Sequence, residues 1–344
     1  MRKTIFFFFF LFIFLQGYTQ GKSGNSFKIA FYNVENLFDT IDDPNKSDND
    51  FLPGSKVAWT AIRYHQKLTH IASVLRAIDS VSLPAVIGLA EIENIGVLQD
   101  LISCEPLRSG KYKAILEEGD DPRGIDVAMI YRRDIVRYVG HRAFPSANSF
   151  KSRAILYVKF VNLKKDTLHI FVNHWKSREG GAAETEPKRI ENATILRHLS
   201  DSLFKINPGA NIVILGDFND EPGDKSISET LGAVKPVAKP VAKSLYNLMY
   251  ILKENGGGTL YYKSWDLFDQ IIVSGNLLIR KPEKGAVILP PYAYIFKPDW
   301  ILYKNKTGEL VPNRTASSSS FFGGYSDHLP VYTIVKNGPA IIDN

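Results

Sequence analysis

The chain has 344 residues, 44% of them hydrophobic and 23% charged, which excludes a disordered or low-complexity protein and is enough for one large core or two small ones. A net charge of +6 is compatible with a polyanionic substrate. The single cysteine, Cys104, excludes any intrachain disulfide and is expected to be a small buried hydrophobe.

Residues 1–20 differ from the rest. Arg2 and Lys3 precede an unbroken apolar run from Ile5 to Leu15, followed by polar Gln16, Gly17, Thr19 and Gln20. A basic start and a short apolar core read as a secretory signal peptide, too short for a comfortable membrane span. The expected protein is secreted or periplasmic, with no membrane span after cleavage.

Phe27–Phe31 alternates as a strand and ends in Tyr32-Asn33-Val34-Glu35-Asn36, where Asn33 and Glu35 leave the core. Residues 39–50 hold Asp39, Asp42, Asp43, Asp48 and Asp50 around Pro44. This is a loop, expected to be solvated; its spacing does not match an EF-hand, although carboxylate oxygens could hold calcium. From Trp59 to Ile78, apolar residues recur at three- and four-residue steps, which predicts an amphipathic helix over a sheet. His65 and His70 on it are expected to be surface or packing residues.

A buried strand, Ala85–Leu89, leads to Glu91 at its exit, and a helix is expected from about Val97 to Ile102. Residues 111–116 and 125–131 read as paired strands around an acidic loop, with Asp126 inside the second. Ala154–Phe160 and Leu168–Val172 read as another antiparallel pair, delivering Asn173-His174-Trp175-Lys176. Thr185 is placed to cap a helix with Pro187 in its first turn, running to about Phe204.

Next comes Ile212–Pro222, Ile-Val-Ile-Leu-Gly-Asp-Phe-Asn-Asp-Glu-Pro. Four apolar residues form a buried strand that Gly216 is expected to end. Asp217 and Asn219, two apart, point the same way on an extended backbone. A carboxylate and a carboxamide at a strand mouth suit a phosphate, its metal and an attacking water. Residues 233–243 repeat Val-Ala-Lys-Pro too briefly for a repeat architecture and read as surface. Asp269 starts the buried strand Asp269–Ser274, and Ser326-Asp327-His328-Leu329-Pro330 precedes the strand Val331–Val335. No linker divides residues 25–338, so one α/β domain is expected.

Asn33, Glu91, His174, Asp217, Asn219, Asp269, Asp327 and His328 thus all fall at strand ends. Their order and local words resemble the endonuclease/exonuclease/phosphatase superfamily, which includes pancreatic-type deoxyribonuclease and the abasic-site nucleases. Gly216-Asp217-Phe218-Asn219 and Ser326-Asp327-His328-Leu329-Pro330 are the strongest pieces. The resemblance implies a four-layer α-β-β-α sandwich of two packed mixed β-sheets flanked by helices, with these strand ends converging at one edge.

It also implies the chemistry. Glu91 would be the main ligand of a Mg²⁺ ion, or of Mn²⁺ or Ca²⁺ in its place, with Asn33 nearby and Asp327 a second carboxylate. His328 would be the general base for water, with Asp269 fixing its tautomer and favouring its protonated form. Asp217 and Asn219 would orient the water and bind phosphoryl oxygens, and His174 would donate to the phosphate. Pancreatic-type enzymes pair the histidine matching His174 with a carboxylate, for which Glu117, Glu118 and Asp126 are the candidates.

The function implied is a secreted, monomeric, metal-dependent phosphodiesterase without a stable protein partner, an endonuclease of DNA or RNA. The alternative substrate is a phospholipid, as in sphingomyelinases, or a sugar or inositol phosphate. An exposed apolar hairpin would favour lipid, and Tyr292, Tyr294 and Phe296 hint at one, although they also fit an ordinary alternating strand. Arg63, Arg123, Lys176, Arg178, Lys188 and Arg189 are open to either reading, nucleic-acid backbone contacts or a solvated face.

Overall fold

Long apolar runs in this chain become strands buried on both faces. The computed structural model describes residues 26–146 and 152–337, and the expected signal peptide lies outside them. In chain order the strands are β1 (Ser26–Leu37), β2 (Val86–Ile92), β3 (Tyr112–Leu116) and β4 (Asp126–Arg132). β5 (Val136–Phe144), β6 (Ile155–Asn162), β7 (Thr167–His174) and β8 (Asn211–Asp217) follow. Among the later strands, those that continue the two large sheets include β9 (Ala233–Val234), β10 (Leu245–Asn247), β11 (Asp269–Ser274), β12 (Val287–Ile288) and β13 (Val331–Lys336).

They form two mixed sheets. The first has the order β12-β13-β1-β2-β4-β3, and the second β5-β6-β7-β8-β11-β10-β9. Alternation sends Phe31, Val213 and Leu215 into the core between the sheets, where they meet Met129, Val158 and Ile271. The opposite faces are buried too. Ala30 and Tyr32 pack under α1 (Ala61–Ile78), against Leu68, Ile71 and Leu75. Ile212 and Ile214 pack under α3 (Ala182–Ile206), against Ala193 and Leu196. The layers are therefore helix, sheet, sheet, helix, with α2 (Ile95–Ser103) beside α1. Burial on both faces is why these strands read as continuous apolar runs.

Topology gathers the strand ends. β1 and β2 are parallel, as are β7 and β8, so each pair releases its chain at one edge. β11 runs antiparallel to β8 and β13 antiparallel to β1, so both begin at that edge, with Asp269 opposite Asp217 and Val331 opposite Phe31.

Several expectations need correction. Gly216 does not end its strand: it stays paired within β8, and a Cβ there would lie 2.5 Å from the Asn173 carbonyl oxygen. Thr185 does not cap α3, which begins after Gly181; its hydroxyl instead donates to the Gly181 carbonyl at 2.7 Å. Cys104 is half-buried, not buried. Edge strand β5 escaped the sequence reading because Arg137, Tyr138, Val139, His141 and Arg142 leave no apolar alternation.

Candidate active site

Seven of the eight anticipated residues meet at the common edge. Asn33 is 1% exposed at the end of β1 and donates through Nδ2 to Asp217 Oδ2 at 3.0 Å and, weakly, to Glu91 Oε1 at 3.5 Å. Glu91 sits at a positive φ of 65°, which turns the carboxylate out of β2. Its Oε2 accepts from the Asn36 N–H at 2.7 Å. His174 Nε2 lies 3.8 Å from Glu91 Oε1 and 3.6 Å from Asp217 Oδ2.

Asp217 Oδ1 accepts from the Asn219 N–H at 3.0 Å, and Asn219 Nδ2 reaches the Trp175 carbonyl at 3.1 Å. A φ of 51° at Asn219 makes this tight return, a conformation asparagine tolerates well. Beyond Asp217, His328 Nε2 stands 3.8 Å from Asp217 Oδ2, while its Nδ1 meets Asp269 Oδ2 at 2.7 Å. Asp269 Oδ1 is buried without a partner.

Asp327 is the departure. Its carboxylate pairs with Arg314 at 3.3 Å, and it does not line the active-site cavity. Arg314 also holds Glu35, so the Asp327 side chain joins a flanking ion-pair cluster beside the cavity. The expected partners of His174 fail as well. Glu117 binds His141 Nε2 at 2.6 Å, Asp126 accepts from the Gly119 N–H at 3.0 Å, and Glu118 lines another cavity. His174 Nδ1 is buried without a partner.

The cavity holds about 480 Å³ and is lined by Glu91, His174, Asp217, Asn219 and His328, together with Asp121, Arg123, Arg153 and Lys176. Its electrostatics follow from burial. Burial pushes the Asp217 carboxyl up to about 6, helped by Asp269 and opposed by His328. Burial lowers His174 well below the ordinary imidazole value, and Arg153 and Arg123 add to it, so its ring is neutral near pH 7. For His328 burial also lowers, but Asp269 and Asp217 outweigh it and hold the imidazole well above its usual value. One neutral and one protonated imidazole therefore flank a carboxyl with raised pKa.

The residues fit a divalent metal. Glu91 Oε1 has only its two long contacts, leaving a hard oxygen facing the cavity, as Mg²⁺ prefers. Asp217, Asp269 and His328 also bring ligand atoms within 4.8 Å of one another.

Supporting contacts were not legible from sequence. Ser326 Oγ donates to the Asn33 carbonyl at 2.7 Å and accepts from the His328 N–H at 3.0 Å, tying the two strand ends together. Lys67, 1% exposed in α1, donates to the Glu35 carbonyl at 2.8 Å, to Thr315 Oγ1 and to the Tyr325 carbonyl at 3.0 Å. A lysine at an inward helical position was the one available signal. Of the six basic candidates, Arg189 is buried against Asp220, Arg178 is held by Asp220, Asp224 and the Asn219 carbonyl, and Arg63 donates to Val57 and Ala58 carbonyls. Arg123 and Lys176 are the two that line the cavity.

Comparison with known proteins agrees with this geometry. The sequence profile of the Endonuclease/Exonuclease/phosphatase family matches residues 28–337. No curated protein sequence matches the chain. Among solved structures, D. rerio TDP2 in complex with a single-stranded DNA product is 15% identical, covers 91% of this chain and 99% of its own, and superposes with a TM-score of 0.56. An endonuclease/exonuclease/phosphatase family protein from Bacteroides thetaiotaomicron is 18% identical, covering 91% and 95%, with a TM-score of 0.54. The mannosyl-6-phosphatase Bt3783 of the same species is 18% identical, covering 90% and 99%, with a TM-score of 0.52. These three share the fold with this chain.

The chain belongs to the endonuclease/exonuclease/phosphatase family, whose members are metal-dependent phosphoric-ester hydrolases.

Proposed function

We propose that this family member is an exported hydrolase of a compact phosphorylated molecule of the sugar-phosphate class. The observation that carries this reading is the cavity of about 480 Å³, with Arg123 and Lys176 on its wall. Its volume is that of a small-ligand pocket. Three of the six basic residues that could have followed a nucleic-acid backbone are engaged in holding the fold. The name of Bt3783, a mannosyl-6-phosphatase, is in keeping with such a substrate.

In this mechanism Glu91 and Asn33 would hold Mg²⁺, which neutralises charge on the phosphoryl group when bound. Arg123 and Lys176 draw the anionic substrate into the cavity. Asp217, close to His328 and braced by Asn33 and the Asn219 N–H, orients the attacking water and accepts its proton. His328 was expected as the base, but Asp269 holds it protonated, which suits it to donate a hydrogen bond to the phosphoryl oxygens. Neutral His174 donates its single proton from Nε2 to the same group. Positioned acid–base groups of this kind each contribute about 10²–10⁴-fold.

A second reading, a nuclease, is favoured by one feature. The hairpin of Leu260–Tyr262 and Ser264–Asp266 adjoins His328 through a bridge at Leu260 and carries exposed Tyr262 and Lys263. An aromatic and a lysine beside the reacting groups suit a base and its phosphate. The D. rerio TDP2 complex with a DNA product is consistent with that use of the fold.

The test is incubation of the mature protein with sugar 6-phosphates, inositol phosphates, single-stranded DNA, plasmid, RNA and sphingomyelin, with Mg²⁺ and with chelator. Metal-dependent phosphate release from sugar phosphates, lost in Asp217→Ala, is expected. Cleavage of DNA or RNA with sugar phosphates untouched replaces the first reading by the second.

A further inference from the structure

The loop after β1 was expected to be a solvated acidic segment. One of its carboxylates is not solvated. Asp48 is 2% exposed; its Oδ2 accepts from the Asp43 N–H at 3.0 Å, and its Oδ1 is buried without a partner. Asp48 lines a cavity of about 300 Å³, separate from the one at the active site. Acidic residues from three segments line it: Asp39, Asp42 and Asp43 from the same loop, Glu93 from just beyond β2, and Glu118 and Asp126 from the β3–β4 turn and the start of β4. The cations there are Lys46 and Arg123, fewer than the carboxylates they face. Lys46 is already turned to the Gly119 carbonyl at 3.5 Å, and Arg123 stands 3.7 Å from Asp121.

A buried carboxylate oxygen with no donor is costly, and gathering like charges around it costs more. A cation removes both penalties. We infer that this cavity is a second divalent-cation site of the calcium class, anchored by Asp48 and independent of the catalytic metal. The donors are all oxygens. Among the described residues only Asp217, Asp269 and His328 bring three His, Asp or Glu ligand atoms within 4.8 Å. The carboxylates here are spaced more widely, so water completes the shell. Ca²⁺ accepts six to eight oxygens in an irregular arrangement, whereas Mg²⁺ demands a near-octahedral one.

The position gives the site a consequence. The Ser47 N–H donates to the Pro122 carbonyl at 2.8 Å, so the loop after β1 already leans on the β3–β4 turn. Arg123, in that turn, lines both this cavity and the active-site cavity. An ion at Asp48 clips the two segments together and fixes the wall that presents Arg123 to substrate.

The experiment measures Ca²⁺ and Mg²⁺ binding by calorimetry and thermal shift in the wild type, Asp48→Asn, Glu118→Gln and Glu91→Gln. Glu91→Gln removes the proposed catalytic ligand, so the second site is read without the first. Glu91→Gln is expected to keep saturable Ca²⁺ binding with Kd of roughly 10⁻⁴–10⁻³ M and a Tm that rises with Ca²⁺. Asp48→Asn in that background is expected to weaken Ca²⁺ binding at least about tenfold and to abolish the rise, with the calcium-free Tm unchanged or higher because a repelled carboxylate is gone. Glu118 is exposed, so its substitution spares folding and is expected to weaken binding several-fold should Asp48→Asn fail to fold. Absence of saturable Ca²⁺ binding to Glu91→Gln up to about 10 mM, or equal binding with and without Asp48, overturns the assignment. Absence of sugar-phosphate hydrolysis by the wild type, with this binding intact, would count against the proposed function alone.

Discussion

His328 Nδ1 meets Asp269 Oδ2 at 2.7 Å, in a pocket where Asp269 is fully buried and its other oxygen has no partner. The bond fixes which face of the imidazole turns to Asp217. Asp269→Asn keeps the shape but removes the charge that holds the ring protonated. Steady-state kinetics are expected to show kcat reduced by about 10² or more with KM little changed. A kcat within twofold of wild type would show that His328 acts without Asp269.

The order of protonation gives a pH profile. With Asp217 as base and His328 as donor, kcat/KM rises as Asp217 loses its proton near 6 and falls only where His328 loses its own, well above the usual histidine value. If His328 were the base, activity would still be climbing through that upper region. A profile from pH 5 to 10 at saturating metal separates the two.

Asp217 also makes a stability prediction. Its folded value, about 6, lies above its unfolded value, so its contribution to stability is full below the unfolded value and lost as pH rises through about 6. In chelator, Asp217→Asn is therefore expected to melt at or above the wild-type temperature at pH 7 while being inactive. Differential scanning calorimetry with chelator checks this. A large loss of Tm would mean that the charge of Asp217 is needed to hold His328 in place.

Much of this site could be read in the sequence because strand exits are local. Gly-Asp-Phe-Asn and Ser-Asp-His-Leu-Pro each fix a strand, its end and the polar residues that leave it, and the edge where they meet follows from the fold. Contacts across the chain were not legible. Asp327 turns to Arg314 because the loop before it folds back over Glu35, and no local pattern announces that. His174 lacks its expected carboxylate because Glu117 lies on the far side of β4, beside His141 of β5, a strand whose polar surface gave no signal. The acidic loop reads as solvated from composition alone, whereas in the fold it leans on the β3–β4 turn and Asp48 is buried.

Metal removal should separate the two roles of Glu91. Its Oε2 accepts from the Asn36 N–H, a contact glutamine can keep, while Oε1 faces the cavity. Glu91→Gln is expected to fold with near-native circular dichroism and to lose at least about 10²-fold in activity that added Mg²⁺ does not restore. Recovery of full rates at high Mg²⁺ would place the essential ligand elsewhere, at Asp217, Asp269 and His328.

Lys67 carries the last prediction. Helix α1 inserts this one ammonium between the end of β1 and the loop that leads to His328, bonding the carbonyls of Glu35 and Tyr325 and the Thr315 hydroxyl. Burial lowers Lys67 to about 8 and raises Glu35 to about 7, so the pair is held against its own desolvation. Lys67→Met matches the length and apolar stem of lysine but takes the ammonium from the Glu35 carbonyl, leaves the Tyr325 carbonyl with the Thr315 hydroxyl as its donor, and leaves the Glu35 and Asp327 carboxylates with Arg314 as their paired cation. Removing a buried donor in this way costs about 1–3 kcal/mol, which urea unfolding would resolve. Because Tyr325 and Asn33 are both anchored through this region, the folded fraction is also expected to lose activity beyond its loss of stability. If specific activity per folded molecule stays at the wild-type level, Lys67 supports only the core, and Ser326 alone holds His328 in register with Asn33.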